Sequence, residues 1–136
     1  MIRPIVHDPQ QLQTQAVPAT RADAKVVTDL LDTLRAHQAN CVGMAANMIG
    51  QNKRIIVVLM GVLPVAMINP QITQKRAPFQ TQEGCLSLSG QRPTTRYQTI
   101  TVDYLNAQFQ PQHQEFSGFI AQIIQHEVDH CQGILI

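Results

Sequence analysis

The chain has no apolar run long enough to span a bilayer: the longest, residues 54–63, is interrupted by Gly61. No charged-then-apolar signal segment opens it, which sets the expectation of a cytoplasmic protein without a membrane partner. Excess charge is also missing. A formal net charge of +1 gives no electrostatic case for nucleic acid or for anionic lipid. Three cysteines, an odd number, do not make a disulfide framework and fit a reducing compartment or a metal role better. Glutamine is frequent but scattered, so there is no low-complexity tract and no repeat. What remains is one compact domain over residues 1–136, whose 44% hydrophobic content suffices for a core.

Against that plain background one segment stands out. Gln125-His126-Glu127-Val128-Asp129-His130 contains H-E-x-x-H, and the preceding Phe119, Ile120, Ile123 and Ile124 repeat at helical spacing. Residues four apart on a helix are offset by about 40° and about 6 Å, so both imidazoles can hold one divalent cation. Glu127 then lies beside the ion as a carboxylate suited to activating water. The blander alternative is a pair of solvated or hydrogen-bonded histidines. Ser117-Gly118 is a start signal for this helix and Gly133 a stop.

A second cluster, Glu83-Gly84-Cys85-Leu86-Ser87, reads as a glycine-containing turn that presents one cysteine. A catalytic site of this kind needs three protein ligands and an open position, and Cys85, His126 and His130 complete the count. Alternatively Cys85 is a small buried hydrophobe. Of only three glutamates in the chain, two, Glu83 and Glu127, fall inside these motifs.

Helix and strand signals surround the motifs. Val27, Leu30, Leu31 and Leu34 predict a core-packing helix over residues 20–38, opened by a capping box at Thr20 and Asp23. Residues 40–52 read as a loop. Residues 54–60 predict a buried strand and residues 65–69 a second one stopped by Pro70, while alternation of Ile100, Val102 and Tyr104 gives a third. Asn106-Ala107 turns the chain into residues 110–116. Strands between two separated helices predict an α+β fold: antiparallel strands packed around a C-terminal helix bearing H-E-x-x-H, plus one N-terminal helix.

E-G-C-L-S followed by Q-H-E-x-D-H resembles the peptide deformylases, metalloenzymes that remove the formyl group from the N-terminal methionine of new bacterial chains. The likeness runs from Ile5 to Ile136. A third family signature, G-x-G-[aliphatic]-A-A-x-Q, has its counterpart in Cys41-Val42-Gly43-Met44-Ala45-Ala46-Asn47-Met48, with Cys41 in place of the first glycine and Met48 in place of the glutamine. The resemblance implies the same α+β fold, an N-formylmethionyl peptide as substrate and action at the ribosome. It implies Fe(II) as the native ion, with Zn(II) or Ni(II) as substitutes. Glu127 is then the proton carrier and the Leu86 backbone N–H an oxyanion donor. It places the substrate among Gly43, Met44 and Met48 of one block, Glu83 and Gly84 of another, and Phe119, Gln122 and Ile123 of the helix.

The departures carry their own expectations. In the family the glutamine donates its amide N–H to the formyl oxygen, and a thioether cannot donate. Loss of one such donor lowers kcat by about 10²- to 10³-fold. Asn47 lies one residue early for a rescue, and Gln122 either points its amide into the pocket or lines the rim. Many bacterial members of the family continue beyond the point matching Ile136, which adds to the expectation of reduced or redirected activity. Asp129 is expected to pair with Arg92 or Arg96. Cys41 is unassigned, Cys131 is expected to pack, and His7, His37 and His113 are expected at the surface. Three readings follow: a metal-dependent amidase, a deformylase-like protein that binds formyl peptides without turnover, and a structural domain whose motifs are relics.

Overall fold

A computed structural model describes residues 1–136. Its centre is a five-stranded antiparallel sheet in the order β1-β2-β3-β4-β5, where each strand neighbours the next in sequence. These are β1 (Gly43–Ala45), β2 (Ile55–Met60), β3 (Leu63–Cys85), β4 (Leu88–Leu105) and β5 (Pro111–Ser117). Three helices accompany them: α1 (Pro9–Leu12), α2 (Ala24–Ala36) and α3 (Gly118–Cys131).

The sheet lies between α2 and α3, and β2 shows why. Ile55, Val57 and Leu59 join the core under α2 with Leu30 and Leu34, whereas Ile56 and Val58 join the core under α3 with Ile124 and Val128. Strand alternation sends successive side chains to opposite faces, so a continuous apolar run is the pattern of a strand covered on both sides. The fold is α+β, with the motif helix packed on one face.

Two local expectations need correction. β3 does not stop at Pro70: it continues to Cys85, with register shifts between Ile68 and Gln71 and between Ile72 and Gln74. β3 pairs with β2 no further than Ile68, so the N–H that Pro70 lacks is not needed for that ladder. Residues 40–52 are not simply loop, since they contain β1 and a 3₁₀ turn at Ala46–Ile49. α3 does start at the Ser117-Gly118 signal: Ser117 is the N-cap residue, with its hydroxyl 3.2 Å from that of Thr99 rather than on the helix backbone, and Gly118 takes φ +67° as the chain turns into the helix.

The other ends follow the sequence. Asp23 Oδ2 accepts the Thr20 backbone N–H at 2.9 Å, and Thr20 Oγ1 accepts the Ala22 N–H at 3.3 Å. They open a 3₁₀ turn, Arg21–Asp23, that feeds α2. Gly133 follows α3 with φ +75°, and a Cβ there would lie 2.3 Å from the Gln13 carbonyl oxygen. Any side chain would force the N-terminal segment off the end of the helix.

Candidate active site

The β3–β4 hairpin brings Cys85 to α3. Cys85 is the last residue of β3, Leu86 and Ser87 form the turn, and the hairpin register shifts between Gly84 and Cys85. On α3 one turn separates His126 from His130, both buried. The Cys85 Sγ lies 3.3 Å from His130 Nε2, and His130 Nε2 lies 3.2 Å from His126 Nε2. All three donor atoms fall within 4.8 Å of one another. A four-coordinate ion separates two imidazole nitrogens by about 3.3 Å and a thiolate sulfur from a nitrogen by about 3.6 Å, so this trio suits a divalent cation.

The ring orientation points the same way. His126 Nδ1 lies 2.8 Å from Glu83 Oε1, and a carboxylate oxygen accepts, so Nδ1 carries a proton and Nε2 is the ring atom turned toward Cys85 and His130. Glu83 is the centre of a buried network. Arg96 donates to it through Nε at 3.1 and 3.0 Å and through Nη2 at 2.7 Å, and Gln122 Nε2 donates to Oε2 at 2.8 Å. The remaining arm of Arg96, Nη1, holds Asp129 at 2.7 Å. Of the two arginines proposed for Asp129, Arg96 is therefore the partner; Arg92 Nη1 donates instead to the Ser89 carbonyl at 3.0 Å.

These contacts set the charges. Burial alone raises the Glu83 carboxyl, but hydrogen bonds from His126, Arg96 and Gln122 outweigh it and hold it at about 2. Burial lowers the His126 imidazole, yet its bonds to Cys85 and Glu83 prevail and raise it to about 10. Burial and the charge on His126 push His130 down to about 3. Two adjacent imidazoles pulled in opposite directions share room for one positive charge.

Glu127 is buried beside this trio, and its Oε1 has no protein partner. Burial raises its carboxyl to about 7, in the range where a group both takes and returns a proton. Its closeness to β1 depends on Gly43: a Cβ at that position would lie 2.7 Å from Ile123 Cγ2 and 3.0 Å from Glu127 Oε2.

A cavity of about 250 Å³ opens over the site. Gly43, Met48, Glu83, Gly84, Phe119, Gln122 and Ile123 line it together with Cys85, Leu86, His126 and Glu127. His130 lies deeper, fully buried. Met44 does not reach the cavity: it is fully buried in the core under α2, because it alternates with Gly43 and Ala45 along β1. Asn40, Cys41, Val42 and Gln82 line it as well. The sequence does not single out these four for the pocket, though Cys41 and Val42 fall within the third family signature.

The two amides considered for the missing donor are both engaged. Asn47 Nδ2 donates to the His130 carbonyl at 2.9 Å, turned toward α3 and away from the cavity. Gln122 gives its N–H to Glu83. The sulfur of Met48 accepts the Ala45 N–H at 3.4 Å. Cys41 donates to the Gly43 carbonyl at 3.0 Å and burial raises it to about 11, while burial raises Cys131 to about 12, so both remain packed thiols. His37 Nδ1 meets its own helix at the Thr33 carbonyl, and His113 is exposed beside Asp103. His7, exposed as expected, sets its Nδ1 3.0 Å from the Ser87 carbonyl and so touches the turn that follows Cys85.

Comparison with known proteins gives a single family. A family model described as Polypeptide deformylase matches residues 2–136. A peptide deformylase of Clostridium beijerinckii is 54% identical over 136 residues, the whole of both chains. One from Desulfitobacterium hafniense is 39% identical, covering 91% of this chain and 84% of its own. Among solved structures, peptide deformylase from Thermotoga maritima superposes with a TM-score of 0.89 at 31% identity, covering 99% of this chain and 95% of that one. A Met-Ala-Ser-bound class I type b peptide deformylase from Acinetobacter baumannii gives 0.88 at 28% identity, covering 99% and 97%.

Proposed function

The chain belongs to the peptide deformylase family, and on that premise we propose that it hydrolyses the N-formyl group from the N-terminal formyl-methionine of nascent peptides. No helix is long and apolar enough to cross a membrane. The reading places residues 1–136 in the cytoplasm as one catalytic unit, acting on chains as they leave the ribosome. The observation that carries it is the convergence of Cys85, His126 and His130 beside a buried carboxylate with a free oxygen.

Cys85, His126 and His130 would hold one divalent ion, Fe(II) natively, with Zn(II) or Ni(II) able to replace it. Bound there, the ion supplies Lewis acidity, making water a nucleophile at neutral pH and polarising the formyl carbonyl. The protein's own groups do the rest. Glu127 takes the proton of the attacking water on its unpaired oxygen. The water oxygen bonds to the formyl carbon, the C–N bond breaks, and Glu127 returns the proton to the leaving amine. Formate and a free N-terminus result. The backbone N–H of Leu86, on the cavity wall, donates to the oxyanion.

Met48 contributes no donor, so turnover is slower than with the family's glutamine by about 10²- to 10³-fold. The same observation favours the second reading, a protein that binds formyl peptides with little or no turnover. Formate release from formyl-Met-Ala-Ser by the metal-loaded protein and by Glu127→Gln separates the two. Turnover in the wild type that falls by at least about 10²-fold in the variant, at equal metal content, supports the hydrolase. Tight peptide binding with no formate from either protein supports the binding reading.

A further inference from the structure

The turn that carries the Leu86 N–H is tied down at a single backbone atom. Between the paired residues Cys85 and Leu88 lie only Leu86 and Ser87, and the register slips just before them, between Gly84 and Cys85. Of the backbone N–H and C=O groups of Leu86 and Ser87, one is hydrogen-bonded within the protein: the Ser87 carbonyl, which lies 3.0 Å from His7 Nδ1. A carbonyl oxygen only accepts, so Nδ1 carries the proton. The Leu86 N–H meets no protein acceptor and stays available on the cavity wall. Packing of Leu86 and Leu88 against the core under α2 keeps the turn in place, but the rotation of its peptide planes is set by the directional bond from His7.

His7 is exposed, so its ring adds little to the core, yet its backbone is anchored on both sides. The Val6 N–H donates to the Met48 carbonyl at 2.8 Å, and Asp8 caps α1 by accepting the Gln10 N–H at 3.0 Å. Residues 6 and 7 thus join two walls of the cavity, the turn after β1 and the turn after Cys85.

We propose that His7 is a positioning residue for deformylation: its Nδ1–H holds the Ser87 carbonyl, fixes the Leu86-Ser87 turn and so aims the Leu86 N–H at the oxyanion. This rests on the deformylase reading of the site. An oxyanion donor is effective only when its direction is set before the reaction, and in a chain where Met48 offers no second donor the aim of Leu86 carries more of the stabilisation.

The test compares wild type, His7→Leu, His7→Ala and His7→Asn, all zinc-loaded to equal metal content. The asparagine amide N–H can replace Nδ1–H, whereas leucine and alanine donate nothing. The readouts are kcat and KM for formyl-Met-Ala-Ser and the NMR order parameter of the Leu86 amide. The expected result is a kcat about tenfold lower in His7→Leu and His7→Ala with KM within about twofold, and recovery of most of it in His7→Asn. The Leu86 order parameter should follow the same pattern, falling from about 0.85 in the wild type and returning in His7→Asn. Wild-type kcat in the leucine and alanine variants overturns the proposal, and so does an equal loss in all three variants. A Leu86 amide as ordered in His7→Ala as in the wild type overturns it as well. Should no protein release formate while Leu86 loosens in His7→Ala and is restored in His7→Asn, the hold of His7 on the turn stands and the deformylase reading fails.

Discussion

The Sδ of Met48 accepts the backbone N–H of Ala45 at 3.4 Å, three residues back along the chain. That contact holds the side chain in the turn that follows β1, at the edge of the cavity. A glutamine at position 48 has an oxygen to accept the same N–H and an amide N–H left over. Met48→Gln is therefore expected to raise kcat for formyl-Met-Ala-Ser by about 10²-fold with little change in KM. Steady-state formate release measures it, and an unchanged kcat would show that the missing donor does not limit this protein.

Gly43 lets Glu127 and Ile123 approach β1. With a Cβ 2.7 Å from Ile123 Cγ2 and 3.0 Å from Glu127 Oε2, Gly43→Ala must move one or both. The expected outcome is a loss of about 1–3 kcal/mol in urea unfolding, together with a fall in kcat larger than that in metal content. A variant with wild-type kcat would mean that Glu127 tolerates displacement.

Arg96 neutralises Glu83 and Asp129 together at contacts of 2.7 Å. Replacing it with methionine keeps the volume and leaves Glu83 as a buried carboxylate with fewer donors. Arg96→Met is expected to destabilise the protein by about 3–5 kcal/mol. By loosening the Glu83–His126 bond it should also weaken metal binding by about 10- to 100-fold. Chemical denaturation and competition with a chelator measure the two effects, and unaltered affinity would separate the network from the metal ligands.

On α2, Asp29 accepts from the Met1 ammonium at 3.0 Å and from the Arg3 Nε at 2.9 Å, which holds its carboxyl below the ordinary range. A carboxyl depressed on folding stabilises the protein above its unfolded pKa, about 3.9, and that contribution is lost as pH falls through the folded value. Urea unfolding between pH 6 and 2 should show stability dropping below about pH 4 in the wild type and dropping less in Asp29→Asn. Parallel slopes would show that this pair does not tie the N-terminal segment to α2.

Much of this molecule was legible along the chain because its governing patterns are local. The H-E-x-x-H spacing on an apolar-periodic stretch puts His126 and His130 on one helical face, and the unbroken apolar run of β2 marks a strand covered on both sides. Thr20 and Asp23 declared the cap before α2. β3 ran past Pro70 because β2 had already left its side, a matter of strand partners that no window around the proline contains. Met44 read as pocket and folded as core because its side is set by the register of three residues against β2.

By itself, then, the sequence determined which groups the molecule owns: two imidazoles one turn apart, a thiol between glycine and leucine, and a thioether where an amide was expected. Tertiary structure alone decided which of them meet. Glu83 accepts from residues 13, 39 and 43 positions away, and no local rule specifies those bonds. They form because the β3–β4 hairpin folds its tip onto α3, and a carboxylate buried there must gather donors wherever the packing supplies them.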